Sequence, residues 1–388
     1  MVYSVPSSAR PFTLDISDQD VSEFKQLLQL SKLGPDTYEG RQQDRRFGIT
    51  HEWLSNAKDY WLNKFDWRAQ EKHINSFPNY QMEIEGINHH FIGLFSEKED
   101  AVPILFMHGW PGSFIEFLPI LGLLRDKYPA KDLPYHIVVA SLTGYTLSDG
   151  GPLDKDWDKD DTARVMDKLM NNLGFRKYIA QGGDVGSFIA TALGAHYDSC
   201  VAVHLNMVLG QPPDPSTLNQ QEQEHLERYK HWIDNGTAYA REHGSRPSTI
   251  GHVLSSSPLA LLAWIGEKML EWSDTDPSLD EILTNVSLYW FTQSFPRSIY
   301  PYRENFGGGA RKWPPYIGKP LGFSYFPREI FPAVESTVQK AGDLVLYRKH
   351  EHGGHFAALE RPADLLKDVE EFVGVVWKGN VSAAETKL

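Results

Sequence analysis

Cysteine is nearly missing from this chain: its 388 residues hold one, Cys200, so no internal disulfide can form. Cys200 lies in an apolar run and reads as a buried, inert thiol. Long apolar runs are missing too. The most apolar stretch, 258–265, is soon followed by Glu267 and Lys268, whereas a membrane span takes roughly 20 apolar residues. Residues 1–12 lack the apolar centre of a signal peptide. There is no excess of positive charge: 38 lysines and arginines against 51 acidic residues give a net charge of −13. That sign is wrong for a nucleic acid or an anionic membrane as partner. Gly-x-Ser-x-Gly is also absent, which argues against a serine esterase. Together these absences predict a soluble, cytoplasmic protein.

What is present is an ordinary enzyme composition, 41% hydrophobic and 23% charged, with one unusual turn. The heptad Gln-Gly-Gly-Asp-Val-Gly-Ser at 181–187 sits between a strand-like run, 178–180, and a helical pattern, 188–196. A tight strand–turn–helix holds its apex residue at an unfavourable φ and needs small residues two before and two after it. Gly182 and Gly186 occupy those places around Asp184. An aspartate there can be a plain helix N-cap. It can also be a nucleophile, and a carboxylate attacks alkyl carbon rather than acyl carbon, as in epoxides or alkyl halides.

The surrounding pattern favours the second reading. Apolar runs at 103–107, 135–142, 178–181 and 201–208 read as strands, and 83–95 alternates like a strand pair. Helical spacing at 162–174 ends on Gly174, a plausible C′ residue. Strands alternating with helices predict a mainly parallel sheet. A proline-rich breaker at 211–215 interrupts it, and 219–295 reads as mostly helical. Strands resume at 321–326 and 344–348, and a last amphipathic helix covers 363–377. Helical pieces at 21–30 and 49–65 belong to a separate N-terminal segment. The expected division is therefore an N-terminal extension (1–82), an α/β core (83–210), a helical lid (211–320) and the rest of the core (321–388). Because ligands bind at the carboxyl ends of such strands, the lid should lie over the Asp184 turn.

In this kind of fold the catalytic residues run nucleophile, acid, histidine along the chain. Of the late histidines His350, His352 and His355, the last follows two glycines and suits a base reaching into a pocket. A metal site made by these three is not expected, since no ligand-spaced Cys or carboxylate cluster accompanies them. Glu329, after the strand at 321–326, is the candidate acid, with Asp343 and Glu351 as competitors. His108-Gly109-Trp110-Pro111-Gly112 forms a turn able to aim the Trp110 amide at the point faced by the Val185 amide. Two such donors make an oxyanion hole.

Taken together, HGWPGSFIEF (108–117), QGGDVGS (181–187), RPSTIGHVLSSSP (246–258), SFPRSIYPYRE (294–304) and GGHFAALERP (353–362) resemble the microsomal-type epoxide hydrolases of the α/β-hydrolase fold. The soluble fungal members are the nearest in pattern. The likeness covers almost the whole chain, including RFGIT (46–50) and FDWR (65–68). The resemblance implies an α/β-hydrolase sheet with a helical lid and an N-terminal extension, and hydrolysis of an apolar epoxide to a vicinal diol. It implies Asp184 as nucleophile, His355 as base and Glu329 as orienting acid. Two lid tyrosines would hold and protonate the epoxide oxygen; the motifs carry these onto Tyr239 and Tyr302, with Tyr300 an alternative to the latter. Epoxide and water would be the small-molecule partners, no cofactor or metal would be needed, and a homodimer could form through the lid. A haloalkane dehalogenase, using Trp110 as a halide donor, and a non-catalytic binding protein of the same fold are the alternatives.

Overall fold

Apolar runs buried on both sides form the centre of a nine-stranded sheet in the computed structural model, which describes residues 3–210, 213–306, 313–331 and 333–377. The first two residues of the 211–215 breaker lie outside that set. The strands are β1 (Arg10–Phe12), β2 (Asn79–Ile84), β3 (Ile87–Leu94), β4 (Val102–Met107), β5 (Tyr135–Ala140), β6 (Tyr178–Gly182), β7 (Cys200–Leu205), β8 (Ile317–Tyr325) and β9 (Gly342–Lys349). Their order is β1-β2-β3-β5-β4-β6-β7-β8-β9. From β5 to β9 every pairing is parallel, while β1 to β3 are antiparallel and join the sheet at β5.

Alternation along β4 shows why its sequence carries no polar residue. Leu105 and Met107 enter the apolar cluster on one face, and Ile104 and Phe106 enter the cluster on the other. A parallel strand covered by helices on both sides must be apolar throughout. Helices Lys159–Asn172 and Asp184–His196 cover the first face; Leu118–Lys127 and Pro362–Val376 cover the second. Fully burying one such aliphatic side chain stabilises the fold by about 1.5–3 kcal/mol. Gly174, at φ 93°, ends the Lys159–Asn172 helix in the left-handed conformation that glycine favours.

Between β7 and β8, which are neighbours in the sheet, the chain leaves to build a helical layer. It contains Gln220–Asn235, Ala238–Ser245, Pro247–Ser255, Pro258–Glu271 and Leu279–Phe291. The long apolar helix Pro258–Glu271 is largely buried inside this layer, and no single described helix is long and apolar enough to cross a membrane.

The N-terminal segment does more than pack on the sheet. It contributes strand β1, too short to be visible as a pattern in the sequence, and then crosses to the helical layer. Its helices Asp18–Leu30, His51–Asn63 and Trp67–Asn75 start at the side-chain caps Ser17, Thr50 and Asp66; each such cap is worth about 1 kcal/mol. Trp61 Nε1–H donates to Ser287 at 3.2 Å and Tyr60 donates to Asp280 at 3.0 Å. Arg45 forms an ion pair with Asp276. The segment therefore ties the sheet to the lid.

Candidate active site

Register in the sheet gathers the candidate residues before any side chain is considered. Met107 pairs with Gly182, and Gly182 with Leu205, so the chain leaves β4, β6 and β7 at one level. The loops after β8 and β9 arrive beside them and carry Glu329 and His355.

Asp184 is the first residue of its helix and has φ 44°, in the left-handed region. The glycines explain how that conformation is held. A β-carbon on Gly182 would collide with the backbone of Gly186, and one on Gly186 would collide with the carbonyls of Met107 and His108. A β-carbon on Gly109 would strike the Asp184 carboxylate itself. The helix therefore starts only about one atom's width from β4, and the strained residue stays where neighbouring packing fixes it.

The carboxylate of Asp184 is bound at both oxygens. The Trp110 backbone N–H donates to Oδ1 at 2.7 Å, and His355 Nε2 lies 3.4 Å from Oδ2. His355 Nδ1–H donates to Glu329 Oε1 at 2.8 Å, and the Ile330 N–H donates to the same oxygen at 2.6 Å. Glu329 is further fixed by His225, which bonds its carbonyl at 2.5 Å and the Tyr325 hydroxyl at 2.7 Å. His355 and Glu329 are buried. Burial alone would lower the His355 pKa, but the carboxylates of Glu329 and Asp184 outweigh it and hold the pKa well above the usual histidine value.

The competitors go elsewhere. Asp343 accepts from Tyr316 at the surface, and Glu351 is exposed. His350 bonds Asp368 at 2.7 Å, and His352 is exposed near Asp274. No group of His, Cys, Asp or Glu able to hold a metal comes together among the described residues.

Above Asp184 lies a cavity of about 260 Å³, walled by Val185, Phe188, Met207, Tyr239 and Tyr302 among others. Tyr239 stacks on Trp110 at 5.3 Å, and Tyr302 stands edge-on to Tyr239 at 5.7 Å. Burial holds both phenols well above their ordinary pKa, and the Asp184 charge adds to the effect. Tyr300 does not reach the cavity; its hydroxyl is paired with Thr162 at 2.7 Å. Val185, as the second residue of its helix, has a backbone N–H with no carbonyl one turn earlier to accept it. The Trp110 indole N–H is buried and makes no hydrogen bond.

Several residues here were not singled out from the sequence. Asn285 Nδ2–H donates to the Pro111 carbonyl at 2.7 Å, and Tyr289 donates to the Gly112 carbonyl at 2.8 Å; both lie on lid helix Leu279–Phe291. The lid therefore clamps the turn that presents the Trp110 amide. Glu116 accepts from the Ser113 N–H at 3.1 Å, and burial raises its pKa to about 8, with Asp184 adding to the rise and His355 opposing it. Its one sequence signal was the capping-box spacing Ser113-x-x-Glu116, which marks a helix start and nothing catalytic.

A strand–Asp–helix elbow with a buried His–Glu pair and a lid over it defines an α/β-hydrolase-type active site. Comparison with known proteins gives the class of chemistry. The model for the epoxide hydrolase N terminus matches residues 9–117, and that for the alpha/beta hydrolase fold matches 102–356. The solved structure of Aspergillus niger epoxide hydrolase is 52% identical, with a TM-score of 0.92, covering 97% of this chain and 99% of that one. Juvenile hormone epoxide hydrolase from the silkworm Bombyx mori is 25% identical at a TM-score of 0.86, covering 97% and 96%. Epoxide hydrolase 1 of Oryctolagus cuniculus is 32% identical, covering 95% of this chain and 89% of its own. The chain belongs to the epoxide hydrolases of the α/β-hydrolase fold and is an enzyme of that activity.

Proposed function

We propose that the chain hydrolyses apolar epoxides to vicinal diols through a covalent ester on Asp184. The observation that carries this reading is the division of labour at the Asp184 carboxylate. Oδ1 is held by the Trp110 amide, and Oδ2 is left beside His355 and the cavity.

In the first step Oδ2 attacks a ring carbon. The C–O bond breaks, its electron pair goes to the epoxide oxygen, and that oxygen takes a proton from the tyrosine pair Tyr239 and Tyr302. The Asp184 charge that helps keep both phenols protonated is consumed as the ester forms, so they become better acids when a proton is needed. The same event removes one of the two carboxylates that raise the His355 pKa. That favours the neutral imidazole, and His355, oriented by Glu329, serves as the base of the next step.

In the second step His355 takes a proton from water, whose oxygen adds to Asp184 Cγ. Negative charge develops on Oδ1, facing the amides of Trp110 and Val185. Collapse expels the diol oxygen, which takes the proton from His355. The carboxyl proton finally restores the tyrosine. Losing one oxyanion donor typically costs roughly 100- to 1000-fold in rate.

The apolar cavity wall, with Phe188, Met207, Leu209 and Phe306, supports an apolar substituent on the epoxide. A homodimer formed through the lid belongs to the same reading, supported by the family likeness; sedimentation at micromolar concentration checks it. The decisive experiment is a single turnover in ¹⁸O-water with enzyme in excess. Label on Asp184 and none in the diol is expected, and label directly in that first diol rules the ester out.

A further inference from the structure

A buried cation stands behind one of the two phenols. Lys268, on the lid helix Pro258–Glu271, is 5% exposed, and its Nζ lies 4.8 Å from the ring centroid of Tyr239. Its ammonium also pairs with Glu267, which is more exposed than Lys268. Tyr239 is thus bounded by the Trp110 indole, stacked at 5.3 Å, and by the ammonium of this ion pair, whose effect the carboxylate of Glu271 on the same helix opposes. Tyr302 has different neighbours. It stands edge-on to Trp110, Tyr239 and His243 at 5.7, 5.7 and 4.8 Å, and among the described residues no lysine or arginine lies over its ring.

The two phenols are therefore not equivalent. A buried phenolate against apolar walls is poorly solvated and forms more readily where a fixed charge offsets it. A cation over a phenol ring interacts weakly with the neutral form and more strongly with the anion. We propose that Lys268 is a positioning residue that makes Tyr239 the phenol that releases its proton, while Tyr302 holds the epoxide oxygen by a hydrogen bond. The Tyr239 proton moves to that oxygen as the C–O bond breaks, the phenolate charge faces Lys268, and Lys268 keeps its own proton. This inference rests on the two-tyrosine reading above.

The test measures alkylation of Asp184 and hydrolysis of the ester separately, in single turnovers of the full chain with a styrene-type epoxide. K268M removes the charge and nearly keeps the volume; K268Q is a second neutral variant should K268M unfold, and K268R restores a cation. Expected is alkylation slowed about tenfold in K268M, ester hydrolysis within about twofold, and recovery in K268R. The Y302F background should keep the Lys268 effect, and the Y239F background should abolish it. Equal slowing by K268M in the presence and absence of the Tyr239 hydroxyl overturns the inference, as does equal slowing of both steps or unchanged alkylation. If Y239F itself alkylates at the normal rate, the two-tyrosine reading fails instead.

Discussion

The carbonyl of Trp272 accepts the backbone N–H of His355 at 2.9 Å, and the two rings meet edge-on at 5.1 Å. Trp272 immediately follows lid helix Pro258–Glu271, whereas His355 belongs to the loop after β9. Gly353 N–H is held in turn by Asp274 at 2.9 Å, and a β-carbon on Gly354 would collide with the Trp272 carbonyl. The lid is therefore part of the scaffold for the proposed base as well as a cover over the cavity, and perturbing it should change chemistry as well as access.

Asn285→Ala tests the lid's hold on the turn that presents the Trp110 amide. It leaves the buried Pro111 carbonyl and the Ser113 hydroxyl without their partner. Unmet buried groups cost about 1–3 kcal/mol, so the urea midpoint should fall. Turnover should fall by about tenfold as well, because the Trp110 amide loses its aim. Normal turnover with a lowered midpoint would show that the clamp serves stability alone.

Tyr302→Phe and Tyr300→Phe should separate cleanly. The first removes a cavity hydroxyl and should slow ring opening by about 100-fold, the low end of a general-acid effect. The second removes a hydrogen bond to Thr162 remote from Asp184, costing about 1 kcal/mol of stability with turnover retained. Pre-steady-state rates and a melting curve on both variants check the pair.

Glu329→Gln should move a pH limb in a defined direction. In the proposed mechanism hydrolysis needs neutral His355, so kcat should rise as pH rises through the His355 pKa in the ester complex. Glu329 is the chief group raising that pKa. Its removal should shift the limb to lower pH and lower the plateau, through loss of imidazole orientation. A pH profile of kcat from 5 to 9 reads both effects. The same pair bears on stability: folded His355 binds its proton more tightly than an unfolded histidine does. Its stabilisation is complete below about pH 6.5 and declines as pH rises through the raised value.

A larger effect of opposite sign comes from other buried histidines. His89, His108, His136, His204 and His225 have pKa values lowered to about 4 by burial, and His90 and His243 to about 3. Between those values and about pH 6.5 the unfolded chain binds more protons, so each histidine lowers stability by up to about 1.4 kcal/mol per pH unit on acidification. Thermal melts should show a steep fall in Tm from pH 6.5 towards 4. A flat profile over that range would mean that these imidazoles reach water or partners on protonation.

Asp184 was legible in the sequence because its constraint is local. An apex residue at positive φ, pressed against a neighbouring strand, requires small residues at two fixed offsets, and Gly182 and Gly186 record that requirement. The parallel strands were legible for a similar reason, since double-sided burial leaves an uninterrupted apolar run. Their ends were less so: β8 runs from Ile317 to Tyr325 where 321–326 was expected, and β9 from Gly342 to Lys349 where 344–348 was expected, since strand ends tolerate polar residues. Tyr239 and Tyr302 could be picked out of 17 tyrosines only through the likeness of their motifs to a family. Glu116 lies inside the motif at 108–117 but with no role attached to it there, and Lys268 carried no such mark. A lone acidic or basic residue in a helical pattern looks the same whether it faces water or a cavity.

The linear chain by itself determined the kind of fold, the bend at Asp184 and the order in which Asp184, Glu329 and His355 appear, because backbone strain and burial periodicity act over a few neighbouring residues. The choice of Glu329 over Asp343, the placing of Tyr302 rather than Tyr300 over Asp184, and the lid's grip on the Trp110 and His355 loops were decided only in three dimensions. Those outcomes depend on how the lid docks across the strand ends. That docking joins residues more than 70 positions apart, for which no local spacing leaves a trace.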